Sequence, residues 1–363
     1  MGRVTLPSGY PSAQTINTPG GEQMRKSKTL VAMALIASFG LVAAACGSDS
    51  KSSDTVAKSD LKVGIAFDTG GRGDGTFNDS AGRGADQAAS DLGATVQELE
   101  ATSDTDRQPN LEALTAAGNS PVIAVGFAFG DALGIVAAAN PNTVYGWVDG
   151  YFDAPNVKNL SFAEQEGSFL VGAAAALKCA CDHIGFIGGQ EIDLIKKFEA
   201  GYTAGAKFIN PNITVDVQYL GAAGDNAAWG SPDKAKEIAL GWYANGVEVI
   251  YTAAGGSGAG TIDAAVEADK WAIGVDSDQY LTATPDQQAH ILTSMLKRVD
   301  VAVFQTAKAV QDGDLAGGTI VFDLKVDGVG YATSGGYLDE FKSQLDDLKA
   351  KIISGEIVVP TAP

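Results

Sequence analysis

Short, continuous apolar runs alternate along this chain with longer stretches at helical spacing. The first run, Val63-Gly64-Ile65-Ala66-Phe67, reads as a buried strand. A loop rich in Gly and Asp, Thr69 to Gly75, follows it. Thr76-Phe77-Asn78-Asp79 then leads into a helix built on Ala81, Ala85, Ala88, Ala89 and Leu92. Ala94 to Leu99 alternates as a second strand. Asp104 to Pro109 turns into a helix through Leu111 and Leu114. Pro121 to Phe127 and Thr143 to Val148 are further strands, with a helix over Ala132 to Ala139 between them, and Asn159 to Phe162 is a short one.

The pattern then restarts. Glu164 to Leu177 is an Ala-rich helix, and His183 to Ile187 is a strand closed by Gly188-Gly189. Leu194 to Ile209 has the apolar spacing of a helix. Ile213 to Leu220, Val247 to Ala253 and Trp271 to Val275 are strands, each pair separated by a helical pattern. Strands alternating with helices at this spacing predict βαβ units and parallel sheets, here in two consecutive halves. The chain continues through Ile291 to Lys297 into an amphipathic helix ending at Val310. Thr319 to Val326 and Gly330 to Ala332 read as late strands. Tyr337 to Ile353 reads as a terminal helix with Leu338, Phe341, Leu345 and Leu348 on one face.

Length and charge narrow the class. The 363 residues suffice for roughly two domains, and 45% of them are hydrophobic, so a full core is available. A formal net charge of −19 argues against nucleic acid and anionic membrane surfaces as partners. Met24-Arg25-Lys26-Ser27-Lys28 opens a positive segment, and Thr29 to Ala45 is apolar and ends in small residues. Residues 24–45 therefore carry a secretory signal pattern. Leu41-Val42-Ala43-Ala44-Ala45-Cys46 resembles a bacterial lipobox, with Ala43 where Leu is usual. That resemblance implies lipidation of Cys46, a tether over 46–60, and a chain anchored at the extracytoplasmic face of the cell membrane. Residues 1–23, polar and without periodicity, are expected to be an upstream extension.

Two other cysteines, Cys179 and Cys181, form a Cys-x-Cys pair, either bonded or reduced. With two His in the chain, far apart in sequence, no metal site is expected. Gly255 to Gly260 lacks the dinucleotide spacing, and no G-x-x-x-x-G-K-[ST] or G-x-S-x-G motif is present. No cofactor and no catalytic residue is called.

A different feature recurs. Asp68, Phe127, Asp149, Gly188, Gly256 and Asp276 all close expected strands. In an open α/β sheet, ligands bind beyond the carboxyl ends of the strands. Two lobes facing each other would bring these ends to one cleft. Taken singly, most of them read as turn residues, and Asn78 and its neighbours read first as a helix cap. Taken together, carboxylates, rings and an amide suit a flat heterocycle bearing hydroxyls.

Gly73-Asp74-Gly75-Thr76-Phe77-Asn78-Asp79-Ser80, Phe186-Ile187-Gly188-Gly189, Lys196 to Tyr202, Ala253 to Gly258 and Leu292 to Asp300 resemble the basic membrane protein lipoproteins. That family comprises substrate-binding proteins of ABC importers, and its studied members bind purine nucleosides. The resemblance covers about residues 62–351. It implies an α/β type I periplasmic-binding-protein fold, with two Rossmann-like parallel-sheet lobes joined by a hinge. It places 61–162 and 286–322 in lobe one, and 163–285 and 323–356 in lobe two. It implies Phe77, Asn78 and Asp149 for the base, and Asp68, Asp276, Gly256 and Lys297 for the ribose. Trp229 is the candidate for a second aromatic wall, where the family usually has Phe. Lys297 is expected to offset the repulsion between Asp68 and Asp276.

The resulting expectation is a monomeric, lipid-anchored receptor delivering a nucleoside to an ABC permease and its ATPase, rather than an enzyme. A sugar or signal-molecule receptor of the same fold, or an extracellular hydrolase using the Asp cluster, are the alternatives.

Overall fold

The computed structural model describes residues 60–179 and 181–363. The expectations for the upstream extension, the signal, Cys46 and nearly all of the tether fall outside the described residues. The first lobe runs β1 (Lys62–Phe67), α1 (Phe77–Leu92), β2 (Thr95–Glu100), α2 (Arg107–Ala116), β3 (Val122–Val125), α3 (Gly130–Ala139), β4 (Tyr145–Val148) and β5 (Val157–Phe162). The second runs α4 (Glu164–Cys179), β6 (His183–Gln190), α5 (Asp193–Ile209), β7 (Thr214–Gly221), α6 (Pro232–Ala244), β8 (Val249–Ala253), α7 (Gly258–Ala268), β9 (Trp271–Asp276), the short α8 (Pro285–Gln288) and β10 (Ile291–Lys297). The chain then returns to lobe one for α9 (Val299–Gln311) and β11 (Gly318–Phe322). It ends in lobe two with β12 (Val329–Tyr331) and α10 (Lys342–Ser354).

Each lobe is one six-stranded sheet. The orders are β11-β5-β4-β3-β1-β2 and β12-β10-β9-β8-β6-β7. The central strands are apolar throughout because helices cover both faces. In β1, Val63, Ile65 and Phe67 pack against Ala81 and Ala85 of α1, while Ala66 faces Leu111 and Leu114 of α2. This is the period-two alternation of a pleated strand between two helical layers. In lobe two, Phe186 and Tyr251 face the α4 and α5 side, and Ile187 and Ile250 face α6 and α7.

The two sheets differ at their last strand. β11 runs parallel to β5, whereas β12 runs antiparallel to β10. The chain crosses between lobes three times, after Phe162, Lys297 and Phe322. These crossings are tied together: Ala163 N donates to Phe322 O at 3.1 Å, Leu324 N to Glu166 Oε2 at 3.0 Å, and the Phe162 and Phe322 rings stack 5.1 Å apart.

Several expectations move. Residues 291–297, expected in lobe one, form β10 beside β9 in the second sheet. Their register is Ser294 with Gly274 and Leu296 with Asp276. The boundary expected at 286 therefore falls at Arg298. Gly188 does not close a strand. β6 continues to Gln190, and a side chain at Gly188 would meet the Tyr219 ring of β7. The strand expected over Thr319–Val326 stops at Phe322, because Asp323 caps a tight turn by accepting from Lys325 N and Val326 N. The terminal helix begins at Lys342, with Leu345, Leu348 and Ile352 buried. Gly335 and Gly336 hold left-handed turns upstream of it. Cys179 and Cys181 are joined in a disulfide.

Candidate functional site

The carboxyl ends of the two sheets face one cavity. The cavity and its mouth together enclose about 770 Å³ of free space. Asp68, Phe77, Asn78 and Asp149 line it from lobe one; Trp229, Gly256, Asp276 and Lys297 line it from lobe two. The eight residues that the resemblance assigned to the ligand thus line one space, whereas Gly188 does not reach it. Phe127 and Phe198 join them.

The loop before α1 settles the capping question for Asn78. Asp74 accepts from the backbone N–H groups of Thr76, Asn78 and Asp79 at 2.9, 2.8 and 3.1 Å. Asp79 accepts from Gly73 N and Gly75 N at 2.7 and 2.9 Å. With Asp74 serving the helix start and Asp79 holding the loop before it, the Asn78 side chain is free of capping duty. Its Oδ1 is buried and has no hydrogen-bond partner in the protein.

Asp149 and Asp276 stand at matching places. Asp149 directly follows β4, Asp276 is the last residue of β9, and β4 and β9 are each third from one sheet edge. Both take left-handed backbone conformations, φ 65° and φ 63°, which Asp tolerates better than most residues. Their surroundings differ. Lys297, the last residue of β10, places Nζ 2.7 Å from each oxygen of Asp149 and 3.2 Å from Glu164 Oε1. The bond to Asp149 Oδ2 is well aligned, while Oδ1 is left without an aligned donor. Glu164 also pairs with Lys197 at 3.2 Å. A chain of alternating charge, Lys197, Glu164, Lys297, Asp149, thus crosses from lobe two to lobe one. The Lys297 ammonium also lies 5.3, 5.0 and 5.6 Å from the ring centres of Phe77, Phe162 and Phe198. Asp276 has no ion pair among the described residues.

Burial raises the Asp149 carboxyl above the usual range, against the pull of Lys297. Burial pushes Asp276 up to about 7; Lys297 pulls it down, while Asp149, Asp74 and Glu164 push it further up. Burial pulls Lys297 down, but Asp149 and Glu164 outweigh that penalty and hold it above its ordinary value.

The structure corrects the expected counterion of Asp68. Arg107, 10% exposed, donates from Nε to Asp68 Oδ1 at 2.9 Å, with Nη2 2.8 Å from the same oxygen. Thr69 N donates to that oxygen at 2.8 Å. Lys297 is committed to Asp149 and Glu164 instead. Asp68 Oδ1 is therefore saturated and Oδ2 remains the available acceptor. Gly126, at φ 120°, passes close to Oδ2, where only a residue without a side chain adopts that backbone easily. Across the cavity, Gly189 leaves room for the Trp229 ring, which a side chain there would strike. Trp229 meets Phe127 of the other lobe edge-on, with centroids 6.2 Å apart. Arg83 Nη2 donates to Ser277 Oγ at 2.8 Å, and Ser277 Oγ donates to Thr76 O at 2.6 Å, also joining the lobes.

Sequence reasoning missed Arg107, Glu164 and Phe198. Glu164 and Phe198 sit in runs that read as ordinary helix, and Arg107 pairs with a residue 39 positions away. Among the described residues no cluster suited to a metal ion occurs, and no helix is long and apolar enough to cross a membrane.

The sequence profile of the Bmp family, described as PnrA-like ABC transporter substrate-binding protein, matches residues 61–362. The chain belongs to that family. The nucleoside-binding ABC transporter protein BmpA of Lactococcus lactis is 34% identical, over 93% of this chain and all of the relative. Basic membrane protein A of Borreliella burgdorferi is 32% identical, over 83% of this chain and 88% of the relative. An ABC transporter solute-binding protein from Aeropyrum pernix superposes with a TM-score of 0.72 at 29% identity, covering 83% of this chain and 94% of that one. The fold is accordingly the type I periplasmic-binding-protein fold. Bmp proteins are extracytoplasmic binding components, working with a permease and its ATPase, and not enzymes.

Proposed function

We propose that this Bmp protein binds a purine nucleoside between its lobes, anchored to the membrane by a lipid on Cys46. The observation that carries the reading is the donor and acceptor set around one cavity. Rings from both lobes, Phe77 and Trp229, suit the faces of a planar base. Asn78 Oδ1 and Asp149 Oδ1 are buried acceptors without aligned donors, as the N–H edge of a base requires. Asp68 Oδ2 and the unpaired Asp276 suit the hydroxyls of a ribose, with Gly256 letting the sugar approach the backbone. The nucleoside-binding relative supports the same ligand class.

The charge balance favours a nucleoside over a nucleotide. Asp68, Asp74, Asp149 and Asp276 line the cavity with Glu164 behind them. Lys297 and Arg107 are each already held between carboxylates. A phosphate would meet surplus negative charge, with no unpaired cation lining the cavity among the described residues.

Thermal unfolding with a panel of inosine, guanosine, adenosine, uridine, ribose and inosine monophosphate tests the reading. A ligand at one hundred times its dissociation constant adds about 2.7 kcal/mol. Purine nucleosides should raise the midpoint while ribose and the monophosphate leave it in place. A shift with ribose alone would point to a sugar receptor instead.

A further inference from the structure

Beside the cavity, an ion-paired chain from lobe one and a hydrogen-bonded chain from lobe two approach and meet. On lobe one, Arg107 holds Asp68 and places Nη2 3.1 Å from Asp104 Oδ1. On lobe two, buried Gln190 at the end of β6 donates from Nε2 to Asn226 Oδ1 at 3.1 Å and accepts from Gly224 N at 2.9 Å. Asn226 Nδ2 then donates to Asp104 Oδ1 at 2.6 Å across the gap. Asn226 and Trp229 are the two ends of one helical turn, Asn226–Trp229, whose start is fixed by Asp225 accepting from Ala227 N at 3.1 Å.

We propose that Asp104 and Asn226 form a clasp that reports occupancy of the site and slows release of its ligand, and that Arg107 is the positioning residue linking Asp68 to it. The proposal rests on the reading that the interlobe cavity is the ligand site. Its physical basis is that each half of the clasp is rigidly tied to a cavity residue. A hydroxyl bonded to Asp68 fixes the carboxylate against which Arg107 is set, and Arg107 in turn orients Asp104. A ring seated on Trp229 fixes the turn that presents Asn226. When both are in place, the Asn226 amide and the Asp104 carboxylate meet with the cost of ordering them already met by the ligand. The Asp104 side chain is 62% exposed, so the bond is weak alone: it holds part of the ligand-free population closed, and the ligand's ordering of both halves strengthens it. A clasp of this kind acts after encounter, and therefore on dissociation rather than association.

The test uses the full chain with inosine as probe. Stopped-flow fluorescence should show that Asn226→Ala and Asp104→Ala each release inosine roughly three- to tenfold faster, the loss of one hydrogen bond. Association should stay within about twofold. The double variant should release no faster than either single one. Arg107→Lys, which keeps the charge but cannot bridge both carboxylates, should also speed release. Independent, additive effects of Asp104→Ala and Asn226→Ala, or unchanged release in both, would overturn the clasp. A second measurement does not depend on the ligand's identity. Spin labels on Ala113→Cys and Glu237→Cys, exposed positions of lobes one and two, report lobe separation. Asn226→Ala should shift the ligand-free distances toward the open form. If the wild type takes up no inosine, the functional reading fails, while these distances still decide the clasp: no shift in Asn226→Ala rejects it.

Discussion

The two lobes repeat one design and use it differently. Each places an aspartate beyond its third strand in the same left-handed conformation, Asp149 in one and Asp276 in the other. Asp149 is locked by Lys297, which lobe two extends across the crossing from the end of β10. Asp276 has no such partner, because the matching position in lobe one, at the end of β5, is Phe162. One carboxylate is thus held in an ion pair as part of the frame, and the other stands without a counterion, pushed up to about 7. The comparison teaches that strand-end position sets where a carboxylate points, while the last residue of the opposite lobe's matching strand decides whether it gains a counterion.

The comparison breaks first at Lys297. Lys297→Met removes the cation shared by Asp149 and Glu164, leaving two buried carboxylates facing each other. Urea denaturation should show a loss of about 3–5 kcal/mol. The reciprocal change in the other half, Asp276→Asn, should leave stability at pH 8 equal to or above the wild type. A Lys297→Met variant as stable as the wild type would mean that the charge chain holds nothing together.

Ligand selectivity sharpens it next. Asp149→Ala should weaken inosine and hypoxanthine alike by roughly ten- to a hundredfold, the loss of a charge-assisted acceptor. Asp276→Ala should weaken inosine by a similar factor but leave the binding of hypoxanthine nearly unchanged. Calorimetry with both ligands separates the two. Equal loss of base and nucleoside in Asp276→Ala would remove Asp276 from the sugar.

The smallest effect is in pH. Asp276 is raised from 3.8 to about 7 in the folded chain. A raised acid contributes stability that is fully present below its unfolded pKa, and that contribution is lost as pH climbs through 7. The ligand-free wild type should therefore lose stability from pH 5 to pH 8 relative to Asp276→Asn. Hydroxyls donating to Asp276 favour its ionised form, so inosine should bind more tightly across the same rise. It should release about half a proton per site near pH 7. Calorimetry in two buffers of different ionisation enthalpy reads that proton directly, and proton uptake instead would contradict the assignment.

Much of this was legible in the chain. The run Val63 to Phe67 reads as a buried strand and forms most of β1. Asp68, Asp149 and Asp276 announced themselves by standing where apolar runs end, and the restart of the pattern after Phe162 marked the second lobe. Asn78 remained ambiguous in the sequence because Asp74 and Asp79 are equally good caps, and only the bonds from Asn78 N and Asp79 N to Asp74 show which side chain serves the helix. Residues 291–297 went to the wrong lobe because a short apolar strand carries no mark of which sheet edge it joins.

What the sequence determined by itself is therefore local: period two or period 3.6, the turn residues between them, and the polar groups at strand ends. Those follow from the backbone and its nearest neighbours. Tertiary structure decided the pairings, Lys297 with Asp149 over 148 positions, Arg107 with Asp68 over 39, and Asn226 with Asp104 over 122. Lys297 and Asn226 find their partners through the three crossings that bring the carboxyl ends of two sheets to one cavity, and Arg107 finds Asp68 through the packing of α2 on β1. No residue along the chain encodes that distance, because it is the sum of every packing contact between them.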